Sequence, residues 1–308
     1  MAATIARSIP SLRAWRASLP PGARVGFVPT MGYLHAGHAS LVERAARECD
    51  FCAASIFVNP SQFDRADDLA RYPRDFDRDR TLLEAAGCGL IFAPEPADIY
   101  PSGFQTWVVP GDIAAPLEGA ARPGHFRGVA TVVLKLLNIV QPARAYFGQK
   151  DAQQVAVIRT MVRDLDVPVR IVPCPTVREP DGLAMSSRNS YLTTDERAVA
   201  PAVHRALLAA RAAVRAGERD AEAVRGAMRA VVAAEPRMRL DYASLADPLT
   251  LAELDRVDGE ALASIAVFLG RARLIDNVLI DRHATRTEPT DAASRAVSRA
   301  PSARSEDD

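Results

Sequence analysis

Apolar and polar positions along this chain alternate between two periods. Short unbroken apolar runs at 25–28, 51–58, 90–92, 145–147 and 169–172 have strand length. They lack the in-out alternation of a sheet with one wet face, so they predict strands covered on both sides. Between them, apolar residues recur at helical spacing over 38–48, 75–86, 129–140 and 152–165. Leu41, Val42 and Ala45 mark the inner face of the first of these helices, and Phe76, Leu82, Leu83 and Ala86 that of the second. A shorter helix at 11–18, capped by Ser11 and stopped by Pro20-Pro21-Gly22, comes before them. The segment 104–109 alternates and reads as a half-buried strand. Strands alternating with helices predict an α/β domain, a Rossmann-like parallel sheet with right-handed crossovers and ligands at the carboxyl ends of its strands.

Past residue 190 the pattern changes. Thr193-x-x-Glu196 forms a capping box that opens a long Ala/Arg-rich helix to about 216, and a second helix covers 220–235. Strands at 240–245, 262–269 and 273–280 complete a smaller α+β C-terminal domain. The expected division is 1–180, 181–282 and a tail, 283–308, too poor in apolar residues to fold.

Composition narrows the function classes. With 38 basic and 38 acidic residues, the net charge is zero, which argues against a nucleic-acid surface. No apolar run is long enough to span a bilayer and no leader-like stretch opens the chain, so a cytoplasmic protein is expected. Cys49 and Cys52 form a C-x-x-C, but they close a helix and open a strand, where buried thiols pack; a zinc or redox pair is the weaker reading. Of the basic residues only Lys135 and Lys150 are lysines, so a compact ammonium is expected to matter at both.

Candidate chemistry gathers in the loops that follow strands. His35-x-Gly37-His38 stands at a predicted helix start, where unpaired N–H groups and the helix dipole favour an anion and imidazoles that titrate near neutral pH can donate to it. Gly148-Gln149-Lys150-Asp151 repeats that logic, with Gln153 and Gln154 in the next helical turn. Met185-Ser186-Ser187-Arg188 offers hydroxyls and a guanidinium suited to a polyanion. Asn59 and Gln62 are neutral and suit an uncharged, hydroxylated part of a second substrate. Arg122, His125 and Arg127, ahead of an apolar helix, could hold a carboxylate or phosphate, and Asn138 within that helix calls for a partner. Asp75 and Asp77 read as a solvated face with a metal contact as the alternative. A nucleoside triphosphate fits the three cationic loops together. No Ser–His–Asp set or nucleophilic Cys has supporting context, so positioning and charge stabilisation are the expected means of catalysis.

Five blocks in order carry a resemblance: Pro29-Thr30-Met31-Gly32 with His35-x-Gly37-His38; Asn59-Pro60-Ser61-Gln62-Phe63; Arg122-Pro123-Gly124-His125-Phe126-Arg127-Gly128-Val129; Tyr146-Phe147-Gly148-Gln149-Lys150-Asp151; and Met185-Ser186-Ser187-Arg188-Asn189. Together they resemble the pantothenate synthetase family, within the wider His-x-Gly-His nucleotidyltransferases. The resemblance implies an ATP-dependent ligase that joins (R)-pantoate to β-alanine through pantoyl adenylate, releasing AMP and pyrophosphate. It implies catalytic roles for His38, His35 and Lys150, with His38 as the proton donor. ATP would be held by Met31, Gly32, Tyr33, Leu34, His35, Ala36, Gly37 and His38, by Gly148, Gln149, Lys150 and Asp151, and by Val177, Met185, Ser186, Ser187 and Arg188. Gln62, Gln154 and Asn59 would take pantoate and β-alanine. Mg2+ would accompany ATP with ligands unspecified, and a homodimer whose C-terminal domain closes over the site is implied. Three departures stand out: Tyr33 in place of a small residue, Ala36 in place of Glu, and a 64–68 segment without the Gly-Pro-Asn-Glu-like sequence often seen there. A cofactor adenylyltransferase and a non-catalytic nucleotide sensor are the rival readings.

Overall fold

The computed structural model describes residues 2–63 and 66–281, excepting the side chains of 66–68. The tail expected from 283 onward, and most of the atypical 64–68 segment, lie outside the described residues.

Strands β1 (Thr4–Ala6), β2 (Val25–Thr30), β3 (Phe51–Ile56), β4 (Leu90–Phe92), β5 (Arg144–Gly148) and β6 (Arg170–Cys174) form one sheet in the order β1-β4-β3-β2-β5-β6. Every neighbouring pair is parallel. The longer helices beside it are α1 (Ile9–Ser18), α2 (Ala36–Glu48), α3 (Phe76–Ala85), α4 (His125–Val140) and α5 (Ala152–Asp164). Successive strand residues point to opposite faces, and each face has its own helices. Phe27, Ala53 and Phe147 pack with α1, α4 and α5, whereas Val28, Ala54 and Tyr146 pack with α2 and α3. The unbroken apolar strands are the consequence. Winding reverses between β2 and β5, so the crevice of this doubly wound sheet opens where those two strands end. The His-x-Gly-His turn and the 148–151 turn leave from those two ends.

A second sheet of β7 (Met238–Ala246), β8 (Ala261–Leu269) and β9 (Ala272–Ile280) is antiparallel in chain order. Helices α6 (Ala202–Arg215) and α7 (Ala221–Ala233) cover it, with Val203, Leu207, Val224 and Met228 against Leu245, Ile265 and Leu274 in a separate core. The α/β fold with a smaller α+β domain is as the pattern predicted.

Several details differ. β1 is only three residues long and exists by pairing with β4 at the sheet edge, too short for a period to register. Residues 104–109 lie in no strand; their alternation comes from aromatic packing. Trp107 stacks on Tyr100 and Phe104 meets it edge-on, the Arg127 guanidinium lies over Trp107 and the Lys135 ammonium over Phe104, and the Val108 N–H donates to Thr131 Oγ1 at 3.0 Å. Lys135 is therefore a packing lysine. The long helix expected from Thr193 is split, Thr194–Val199 then α6, because Pro201 removes an N–H and crowds the preceding turn. α4 starts at His125, four residues before the expected Val129, and Asn138 on it is exposed, facing water. Asp75 caps α3 through the Arg78 N–H at 3.1 Å. All four cysteines are buried and free. Among the described residues no group of three or more His, Cys, Asp or Glu could hold a metal ion, and no helix is long and apolar enough to cross a membrane.

Candidate active site

The turn between β2 and α2 is built by short-range bonds and one distant carboxylate. Thr30 Oγ1 donates to the Ser55 carbonyl at 2.5 Å and accepts the Gly32 N–H at 3.3 Å. Gly32 and Tyr33 then take the left-handed region, φ +86° and +50°. That conformation is natural for Gly and costs a tyrosine about 1 kcal/mol, offset here by the Arg78 guanidinium 5.0 Å over the Tyr33 ring. The Tyr33 and Leu34 N–H groups donate to Asp79 at 2.6 and 2.7 Å. Asp79 is 1% exposed, and burial pushes its carboxyl above the ordinary value despite these donors. No sequence signal separated it from its neighbours in a stretch of alternating Asp and Arg. Leu34 is fully buried, so this residue offers a ligand only its backbone.

The histidines cap the helix that follows. Gly37 N–H donates to His35 Nδ1 at 3.1 Å, and His35 N–H donates to His38 Nδ1 at 3.3 Å. A Cβ on Gly37 would stand 2.9 Å from the His35 ring, so glycine is required for the approach of its own neighbour's ring. With each Nδ1 accepting, each ring carries its proton on Nε2 and is neutral. The rings lie 4.1 Å apart. Burial, helped by the Lys150 and Arg78 charges, lowers His35 to about 4; burial, helped by His35, lowers His38 to about 3. Titration near neutral pH, expected from the residue type, is corrected: the pair offers two neutral N–H donors.

Two cavities meet beside this turn. The smaller, about 160 Å³, is lined by Met31, His38, Gln62 and Gln154 on a wall of Phe57, Val129, Val132, Val133, Leu136 and Phe147. Gln62 is held by Asn59, whose Nδ2 donates to Gln62 Oε1 at 2.9 Å and to the Gly128 carbonyl at 3.2 Å. Asn59 Oδ1 accepts from the Ser61 and Tyr100 hydroxyls, both at 2.9 Å. Asn59 is thus saturated and 1% exposed, so its part is to orient Gln62; the direct substrate contact expected of it has no free atom to make it. The Gln62 carbonyl receives Arg122 at 3.0 Å and lies 3.0 Å from His125 Nδ1. These two residues, expected as anion ligands, brace the loop through these contacts, and both also line the larger cleft. Gly128 lets α4 touch it: a Cβ there would come within 2.3 Å of the Ser61 carbonyl oxygen. Gln153, 5% exposed, bonds the Ile113 and Pro116 carbonyls and so is structural too.

The larger cleft, about 750 Å³, runs between the two sheets and is lined by Lys150, Asp151, Gln154, Ser186, Ser187 and Arg188, with Asp276 and Asn277 from β9. Lys150 Nζ stands 3.6 Å from Asp151 Oδ1. Tyr72 lines both cavities; its hydroxyl reaches the Gly32 carbonyl at 3.5 Å, and burial raises its phenol while a hydrogen bond with Ser187 works against that. Tyr72 therefore ties the first expected ATP loop to the third, a role hidden in what reads as a Tyr-Pro-Arg turn. The Met185 N–H donates to the Val177 carbonyl at 3.0 Å, joining those two candidates, and Val177 Cβ lies 3.9 Å from where a Gly37 Cβ would stand. Tyr72, Asp151 and Gln154 border both spaces. The geometry can seat a polyanion in a donor-rich cleft beside a small, half-apolar chamber ending in two amides.

The family model described as pantoate-beta-alanine ligase matches residues 4–279. The chain belongs to that family. It is 61% identical over 258 residues to a pantothenate synthetase of Chloroflexus aurantiacus, covering 83% of this chain and 92% of the relative. It is 60% identical over 274 residues to that of Roseiflexus castenholzii, covering 89% and 98%. The solved pantothenate synthetase of Thermus thermophilus superposes with a TM-score of 0.85 at 51% identity, over 89% of this chain and 98% of that one. The pantoate-beta-alanine ligase of Francisella tularensis, solved with beta-gamma ATP and beta-alanine, gives 0.74 at 36% identity over 90% and 98%.

Proposed function

We propose that this chain condenses (R)-pantoate with β-alanine, coupled to cleavage of ATP to AMP and pyrophosphate, with pantoyl adenylate between the two half-reactions. A pantoate carboxylate oxygen attacks the α-phosphorus, the bond to the bridging oxygen breaks, and pyrophosphate leaves with the electron pair. The β-alanine nitrogen then attacks the acyl carbon, the carbon–oxygen bond of the anhydride breaks, AMP leaves, and the nitrogen gives up its proton. The observation that carries this reading is the juxtaposition of the two cavities at Tyr72, Asp151 and Gln154, with His38 on the wall of the smaller one. A chamber of about 160 Å³ with an apolar wall and the amides of Gln62 and Gln154 suits a small branched hydroxy acid, not a phosphate ester.

In this reading Met31 to His38, 148–151, Val177 and Met185 to Arg188 hold ATP. His35 and His38 donate from Nε2 to phosphate oxygens, and Lys150 stabilises charge developing on the α-phosphoryl group. The histidines then act as hydrogen-bond donors, since a carboxylate nucleophile needs no base. Residues 1–180 carry the histidines, Lys150 and the small chamber, and the C-terminal domain adds Met185 to Arg188 and covers them. Mg2+ fits as a companion of the triphosphate: Asp151 is a carboxylate with 48% of its side chain open beside the cleft, and Mg2+ takes one or two carboxylates plus phosphates and water. Bound there, it would neutralise the departing pyrophosphate. Consumption of ATP favours a cytoplasmic location, and the family resemblance favours a homodimer.

Isotope exchange between ATP and pyrophosphate tests the reading. Exchange should depend on pantoate and occur without β-alanine; exchange that ignores pantoate, or that needs a phosphate ester in its place, would return the chain to the cofactor adenylyltransferases.

A further inference from the structure

We infer that Asn277, on β9 of the C-terminal sheet, is a positioning residue for Lys150, so that the cation of the adenylation site is set in place by the other domain. The inference rests on the placement of Lys150 at the phosphates proposed above. The turn that carries Lys150 has no side-chain cap: neither Gly148 before it nor Asp151 at the start of α5 closes a capping hydrogen bond. Its carbonyls are taken up from outside. Asn277 Nδ2 donates to the Gln149 carbonyl at 2.9 Å and to the Lys150 carbonyl at 2.8 Å. Two acceptors on one amide nitrogen use both of its hydrogens and fix which way the amide faces.

The amide is itself anchored. Asn277 is 5% and Asp276 3% exposed, and the Asn277 N–H donates to Asp276 Oδ1 at 2.8 Å. Arg178 grips Asp276 with two bonds, 2.6 and 3.1 Å, and donates to the Gly182 carbonyl at 3.1 Å. Arg178 and Ala184 pair across the hairpin that leads into Met185. Two consecutive residues of β9 therefore hold two of the three segments assigned to ATP, the lysine turn through Asn277 and the serine loop through Asp276. Sequence spacing puts Asn277 more than a hundred residues from Lys150, and an Asn in a strand gives no sign of such a contact.

Asn277→Ala removes both donors, and the near-isosteric Asn277→Asp sets a carboxylate against two carbonyl oxygens. In pantoate-dependent ATP–pyrophosphate exchange by the full chain, Asn277→Ala should lower the rate about tenfold, the scale for a cation misplaced by a fraction of an ångström, and Asn277→Asp should lower it further. KM for pantoate should stay within about twofold. Lys150→Ala should abolish most exchange, and adding Asn277→Ala to it should cost less than about twofold more, since a residue acting through Lys150 has nothing left to position. Amide exchange at 148–151 should quicken in Asn277→Ala while that at 35–38 does not. Should the alanine variant not fold, Asn277→Ser, which keeps one donor, carries the same comparison with a smaller drop. Full multiplication of the two effects in the double variant, or a parallel rise in the pantoate KM, overturns the inference and leaves the function standing. Lys150→Ala with unchanged exchange removes the proposed role of Lys150, and the inference with it.

Discussion

The two strand-turn-helix junctions that flank the switch point look alike in sequence and are held in opposite ways. After β2, the His35 and His38 rings cap their own helix, with distant help from Asp79 beneath the Tyr33 and Leu34 amides and from the Tyr72 hydroxyl at the Gly32 carbonyl. After β5, the turn makes no cap of its own and is held through its carbonyls by Asn277 from the second sheet. One junction is closed mainly by its own side chains; the other is held by the C-terminal sheet. A site divided in this way can keep a permanent set of donors on one side and make the cation conditional on domain placement on the other.

The largest expected effects fall on the groups themselves. His38→Ala and Lys150→Ala should each reduce turnover by at least about 10²-fold, the scale for losing one donor to transition-state charge, with the circular dichroism of the native protein retained. Near-normal turnover in either would show that its junction does not face the reacting phosphate.

Next in size is the foundation of the first junction. Asp79→Asn turns one acceptor into a donor against a backbone N–H in a buried place, so unfolding should cost about 1–3 kcal/mol less, read by urea denaturation, and KM for ATP should rise. The contrast between the junctions makes a sharper demand. Combined with Asn277→Ala, the effect of Asp79→Asn on ATP should simply add, because the two residues serve separate turns. Strong non-additivity would mean that the turns move as one body and that the comparison is misdrawn.

The same contrast explains what could be read from the chain alone. Buried strands, helix faces and the parallel sheet follow from local periods, and the place of His-x-Gly-His at a helix start is local too, so both were legible; that the rings themselves cap the helix was not. Asp79, Tyr72 and Asn277 act across 46, 40 and 128 positions respectively, and nothing in their immediate surroundings distinguishes a structural acceptor from a solvated charge. Arg122 and His125 were legible only in part, for a related reason. Their residue types suit an anion, but a basic side chain can also satisfy a buried carbonyl, and the Gln62 carbonyl that takes them becomes a partner only once α4 and the 59–63 loop are packed together. Residues 104–109 show the limit of alternation itself, which records which side chains are covered and not whether a ladder partner exists.

The remaining effect concerns protons. His35 and His38, near 4 and 3 in the folded protein against an ordinary value of 6.5, bind protons more weakly folded than unfolded. Their contribution to stability should be fully present above pH 6.5 and decline as pH falls toward 4, where the unfolded chain takes up protons that the folded rings refuse. Ring carbon and proton resonances, assigned by comparison with His38→Ala, should hold their neutral positions down to about pH 5 in the free protein. ATP should raise the midpoints, since an anion at Nε2 favours the imidazolium. A midpoint near 6.5 without ligand would put a proton on Nδ1 for part of the time. The caps on Gly37 and on the His35 N–H would then be broken in that fraction of molecules, and the first junction would be no more self-sufficient than the second.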